Sequence, residues 1–148
     1  MKKRIFAVAS LVALCSLATT QVARAQEPVV ANIPFAFSTG NATLPAGEYR
    51  VEKMGGNGAV LLIRCADPTA AALVTTMPAG GGNNQQTKSR LVFHRYGNSY
   101  FLSEVWSAGS SSGRQLRKSA REKEASLSAK ADMQSEVVLY ARLAPAKP

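Results

Sequence analysis

The stretch SRLVFHRY-GN-SYFLSEVWS, from Ser89 to Ser107, leaves few folds open to this chain. Two runs of alternating apolar and polar residues flank Gly97-Asn98, and glycine at the first central position of a two-residue loop favours a type II′ hairpin turn. That turn sets a register in which His94 pairs with Phe101, Phe93 with Leu102, Leu91 with Glu104 and Arg95 with Tyr100. Because side chains alternate along a strand, one face then carries Leu91, Phe93, Tyr100, Leu102 and Trp106, and the other Val92, Phe101 and Val105. Water suits neither face. The hairpin must be covered on both sides, by sheet on one and by a helix or loop on the other.

The same period of two recurs along the chain. In IPFAFSTGNATLPAGEYRVE, Ile33, Phe35 and Phe37 alternate with Pro34 and Ala36, which predicts a strand whose proline restricts it to an edge or a strand start. Leu44-Pro45-Ala46-Gly47 reads as a tight turn, and Tyr49 and Val51 continue the alternation. Further strands are expected over Ala59–Ala66, with Leu61, Ile63 and Cys65 on one face, over Ala70–Met77 and over Val137–Leu143. Pro78 to Lys88 reads as a long polar loop. One helix is expected near the C-terminus, opened by the capping box Ser119-Ala120-Arg121-Glu122 and carrying a thin stripe of Leu116, Ala120, Leu127 and Ala131. The pattern predicts a mainly β fold: a small antiparallel β-sandwich or barrel of about seven strands with one C-terminal helix before the last strand.

The N-terminus is an address. Lys2-Lys3-Arg4, an apolar run from Ile5 to about Ala18, and Ala23-Arg24-Ala25 together predict a cleavable signal peptide over residues 1–25 and a single β-rich domain over 26–148 with a short C-terminal tail. Such a chain is exported, to the periplasm or outside the cell. A lipoprotein is the competing reading, through Cys15, but Leu14 stands where lipid attachment needs a small residue. Four of the 18 basic residues leave with the signal while all nine acids stay, so the net charge falls from +9 to +5. Cys65 is left as the one cysteine of the mature chain; it is either buried beside Leu61 and Ile63 or paired between chains.

IPFAFSTGNATLPAGEYRVE, VLLIRCAD, LVFHRYGNSYFLSEVWSAG and GRQLRKSAREKEAS together resemble a family of small exported bacterial β-rich proteins, over roughly Ala31 to Leu143. The resemblance implies a single-domain envelope or secreted protein and brings no activity with it. LPAGEYRV alone also resembles a hairpin of Ig-like and carboxypeptidase-regulatory-like sandwiches, an analogy of fold only.

The inventory for chemistry is poor. One histidine, His94, and one cysteine cannot build a histidine-rich metal site, the carboxylates lack calcium-loop spacing, and no G-x-S-x-G elbow raises a serine. No enzyme activity, no cofactor and no metal are expected. Two candidate surfaces remain. Arg90, Arg95, Tyr96, Tyr100 and Trp106 place rings beside guanidinium groups on the hairpin, a pattern that grips sugars or peptides, though strands enrich aromatics anyway. Arg114, Arg117, Lys118, Arg121 and Lys123 form a basic patch; with Lys130, and against Glu122 and Glu124, this segment holds +4 of the mature +5. Its bland reading is a solvated helix in which Lys118 and Glu122 pair across one turn. The expected role is non-enzymatic surface recognition or structural interaction in the cell envelope, with an anionic polymer, a lipid surface or another protein as partner and nucleic acid excluded. The alternative is a carrier holding a small apolar ligand inside a barrel lined by Phe35, Phe37, Leu61, Ile63 and Phe93.

Overall fold

The computed structural model describes residues 27–80, 85–130 and 133–145; the expected signal peptide and Cys15 lie outside them. Among the described residues the strands are β1 Val29–Ile33, β2 Phe37–Thr39, β3 Ala42–Leu44, β4 Gly47–Met54, β5 Val60–Cys65, β6 Ala71–Ala79, β7 Ser89–Tyr96, β8 Ser99–Trp106, β9 Gly113–Leu116 and β10 Gln134–Leu143. One helix, α1 (Ala120–Ser128), precedes the last strand. Eight strands close an antiparallel barrel in the order β8-β7-β10-β1-β4-β5-β6-β9, with β9 returning to β8. The mainly β expectation holds, as a closed barrel with more and shorter strands than seven.

Alternation explains the core. Tyr49 and Val51 of β4, Leu61 and Ile63 of β5, Leu91 and Phe93 of β7, and Leu102 and Val105 of β8 all turn inward and are buried in one cluster. Each such side chain contributes about 1.5–3 kcal/mol on leaving water. Together they fill the interior, with Phe37 edge-on to both Tyr49 and Phe93 at centroid distances of 5.1 and 5.4 Å.

The β7–β8 hairpin turns at Gly97, whose φ of +60° matches the expected glycine position. His94↔Phe101, Phe93↔Leu102 and Arg95↔Tyr100 pair as expected. Leu91, however, pairs with Val105 rather than Glu104, because the register shifts at Val92/Phe93 and leaves Ser103 as an extra residue in β8. A bulge of this kind reverses the side-chain alternation beyond it. Val105 therefore enters the core, and Trp106 turns outward to pack with Val92 and Ala79. The barrel interior covers one face of the hairpin; on the other, Val92 and Trp106 pack with Ala79, and α1 meets His94 through Glu122.

Pro34 splits the strand expected through Ile33–Phe37. It lacks the amide that a ladder needs, so β1 stops at Ile33 and the chain crosses the barrel mouth to β2. Phe35 stacks on Tyr100 at 3.9 Å and meets Phe93 edge-on at 5.2 Å, so it plugs that mouth. β2 then joins β8 in parallel through Ser38↔Phe101 and folds back as the short β3. The polar loop begins two residues later than expected, because Pro78 still belongs to β6, opposite Arg114.

Cys65 shares the inward face of Leu61 and Ile63 but sits part-exposed at the rim, opposite Tyr49. Burial pushes the Tyr49 phenol up to about 12, and the adjacent Cys65 thiol adds to this. An unfolded phenol ionises near 10, so the stability due to neutral Tyr49 is intact below pH 10 and declines as pH rises toward 12. In an alkaline denaturation series, Tyr49→Phe should flatten that decline while losing the 2.7 Å hydrogen bond from the hydroxyl to the Pro45 carbonyl.

Candidate functional site

α1 begins as a capped helix but does not dock through its apolar stripe. Ser119 Oγ accepts from the Glu122 amide, as a capping box requires. The expected return contact is replaced: Glu122 is the buried residue of the helix, and its carboxylate accepts from His94 Nδ1–H at 2.7 Å. Leu127 is 86% exposed, and Ala131 lies outside the described residues. A helix with so little apolar face cannot hold itself on the sheet by burial. Polar contacts hold it instead: His94–Glu122, Arg121 Nη1 donating to Thr43 Oγ1 at 2.8 Å, and Gln134 Nε2 donating to the Ser126 and Ala129 carbonyls.

Ser103 Oγ lies 3.1 Å from His94 Nε2, which completes a hydroxyl–imidazole–carboxylate relay from β8 through β7 to α1. Relays of this type activate nucleophiles when the hydroxyl faces substrate and donors wait for the oxyanion. Here the bulge that frees Ser103 also turns it under α1, where it is 4% exposed. So little of Ser103 is exposed that a carbonyl has no room at Oγ in this arrangement. The arrangement is a lock that pins α1 to β7 and β8, with the exposed Glu136 carboxylate 3.9 Å from Nε2 on its open side.

With Glu122 turned inward, the Lys118–Glu122 pair of the bland reading does not form. Lys118 Nζ instead donates to the Tyr96 hydroxyl at 3.2 Å, a contact that raises its pKa. Among the described residues no carboxylate lies within ion-pair distance of Arg117, Lys118, Arg121 or Lys123. Arg117 and Lys118 line the rim of a cleft of about 580 Å³ bounded by the β2–β3 turn (Thr39–Ala42), β6 (Ala72–Thr75) and the β9–α1 link (Leu116–Ser119), and Arg121 borders it through Thr43. Thr39 forms part of its wall, with a buried hydroxyl that has no hydrogen-bond partner among the described residues.

The residues singled out in the sequence are dispersed. Arg117 and Lys118 line this rim and Arg121 borders it, Lys123 lies exposed on α1 two residues beyond Arg121, and Arg114 stands apart on β9 beside Gly58 and Lys53, whose pKa is lowered by burial and then by Arg114. The aromatic set divides three ways. Tyr100 is inside the mouth with Arg95 over its ring at 5.6 Å, Tyr96 is buried outside against Phe101, and Trp106 lies on the outer face with Arg90 over it at 5.2 Å. They do not converge on one surface. Ser103, Thr39 and Leu73 are not marked by any sequence pattern, and Glu122 is marked only as a capping and surface-pairing residue, since each owes its place to a strand or helix distant in the chain. Among the described residues no three His, Cys, Asp or Glu side chains group to hold a metal, and no helix is long and apolar enough to cross a membrane.

The fold and rim define a class: a small closed β-barrel with a packed interior and a cationic cleft on its wall. Comparison with protein-family models, curated proteins and solved structures returned no match.

Proposed function

We propose that this chain is an exported, non-enzymatic barrel that recognises an anionic partner in the cell envelope through the cationic rim at Arg117, Lys118 and Arg121, extended along α1 by Lys123. One observation carries the reading: the lock to His94 turns Glu122 inward, and among the described residues no carboxylate forms an ion pair with the four cations. Exposed cations clustered on one side attract anionic surfaces and polymers at long range. The filled interior supports the rim over an apolar carrier site, because Phe37, Leu61, Ile63 and Phe93 already occupy one another's space. The burial of Ser103 supports recognition over hydrolysis.

Replacing all four cations by glutamate turns the mature net charge from +5 to −3. That variant is expected to lose envelope association on fractionation of the exporting cell, and about 0.5 M salt should release the unaltered protein in the same way by screening. Unchanged fractionation of a folded variant overturns the reading.

A further inference from the structure

The barrel closes on only half its height along one seam. β9 pairs with β6 from Thr76↔Leu116 to Ala79↔Gly113, and then the chain peels away at Arg117 toward α1. The upper half of β6, Ala71 to Thr75, is paired with β5 on one side. The Thr76 amide donates to the Ala59 carbonyl and the Ala70 carbonyl accepts from Cys65, so even-numbered residues of β6 direct their main-chain groups to β5. Odd-numbered residues direct theirs the other way. The N–H and C=O of Leu73 thus face the cleft, and no described residue bonds them there.

An open edge is a template for another strand, and proteins blunt such edges with lysine, proline, bulges or a covering loop. Ala71-Ala72-Leu73-Val74-Thr75 carries no charge and no proline, and the Leu73 side chain is 66% exposed. The opposite wall, the β2–β3 turn, approaches the Val74 side chain at Gly40 but makes no main-chain bond to the edge. We propose that this seam binds an extended acidic peptide segment of a partner protein by strand addition, the added strand running antiparallel to β6 in the line that β9 abandons at Leu116.

Main-chain bonds at Leu73 supply the pairing, and alternate side chains of the peptide meet Arg117 and Lys118 at the rim. The charge selects the occupant. A second copy of this chain would bring two uncompensated cationic rims together, whereas an acidic strand neutralises one. The inference rests on the cationic rim proposed above and names its partner class.

A phage-displayed library of random dodecapeptides selected on the exported chain provides the probe, and the enriched peptide, synthesised, is followed by amide hydrogen exchange. The expected result is enrichment of peptides that alternate β-branched residues with Asp or Glu. The Leu73 amide, fast in the free protein, slows at least about tenfold with peptide, while Ala72 and Val74, already bonded to β5, do not change. Leu73→Pro, which removes the donor, and Arg117→Glu with Lys118→Glu each weaken the peptide about tenfold or more. Leu73→Glu keeps the amide and repels an acidic strand, so it serves if the proline variant does not fold.

Strand addition is overturned if free Leu73 exchanges as slowly as Val74, if no peptide is enriched over selection on the charge-reversed variant, or if the peptides protect other amides. A dimer that protects Leu73 without peptide also overturns it, by assigning the edge to a second copy. Envelope association lost in the charge-reversed variant but retained in Leu73→Pro or Leu73→Glu removes strand addition and leaves the rim standing.

Discussion

Gly113→Ala is expected to destabilise the barrel by about 3 kcal/mol, at the upper end of what overpacking costs. A Cβ on Gly113 would lie 2.6 Å from two ring carbons of Trp106 and 2.8 Å from a third, well inside contact distance. The ring cannot step aside cheaply. Its Nε1 donates to Glu104 at 2.7 Å, Arg90 lies across one face, and only 4% of the residue is exposed. Relief must come from β9, which pairs with both β6 and β8 and is the strand that closes the barrel. Trp106 is the one tryptophan of the chain, so intrinsic fluorescence reports the displacement directly. Chemical denaturation should show the loss together with a red-shifted native emission. Gly56→Ala, where a Cβ meets nothing within 4 Å, should change stability by less than about 0.5 kcal/mol. Equal behaviour of the two variants would show that the Gly113–Trp106 contact is not what fixes β9.

The second large effect concerns the lock under α1. Glu122→Ala removes the partner of His94 Nδ1 and should cost about 2–3 kcal/mol, the range for a buried hydrogen bond to a charged group. For a domain of this size that is a fall in Tm of roughly 10 °C. Glu122→Gln retains an acceptor and should lose about 1 kcal/mol. Amides of residues 122–128 should exchange faster in Glu122→Ala, since the helix has little apolar contact to hold it once the lock is gone. A fluorophosphonate probe separates lock from relay: the native protein should leave Ser103 unmodified because the helix covers it. Labelling of Ser103 in the native protein, with stability unmoved by Glu122→Ala, would reverse the assignment.

Period-two alternation and turn residues were enough to place most strands of the barrel, the Gly97 turn, the upper register of the β7–β8 hairpin and the helix start at Ser119. Those are local effects: backbone conformations at glycine and proline, and an amphipathic period that only a half-buried strand satisfies. Pro34 was also legible as a disturbance and Ile33, Phe35 and Phe37 as one apolar set, although the sequence pattern did not reveal that Phe35 would leave the ladder and Phe37 open a separate strand. The basic rim could be read from composition, yet its unpaired state could not.

What local pattern could not contain was decided by contacts across the chain. The bulge at Ser103 exchanges the faces of Val105 and Trp106, because one unpaired residue reverses the alternation beyond it. Glu122 abandons its capping partner because His94, 28 residues earlier in the chain, offers a half-buried imidazole hydrogen. The short β9 leaves the upper edge of β6 open, and that is visible only once the sheet is closed around it. The sequence by itself determined the strand grammar, the inward side chains that alternate without interruption and the location of the charge. Tertiary structure alone decided which polar groups are consumed inside the fold and which remain for a partner, since that depends on which elements meet and not on what any one of them prefers.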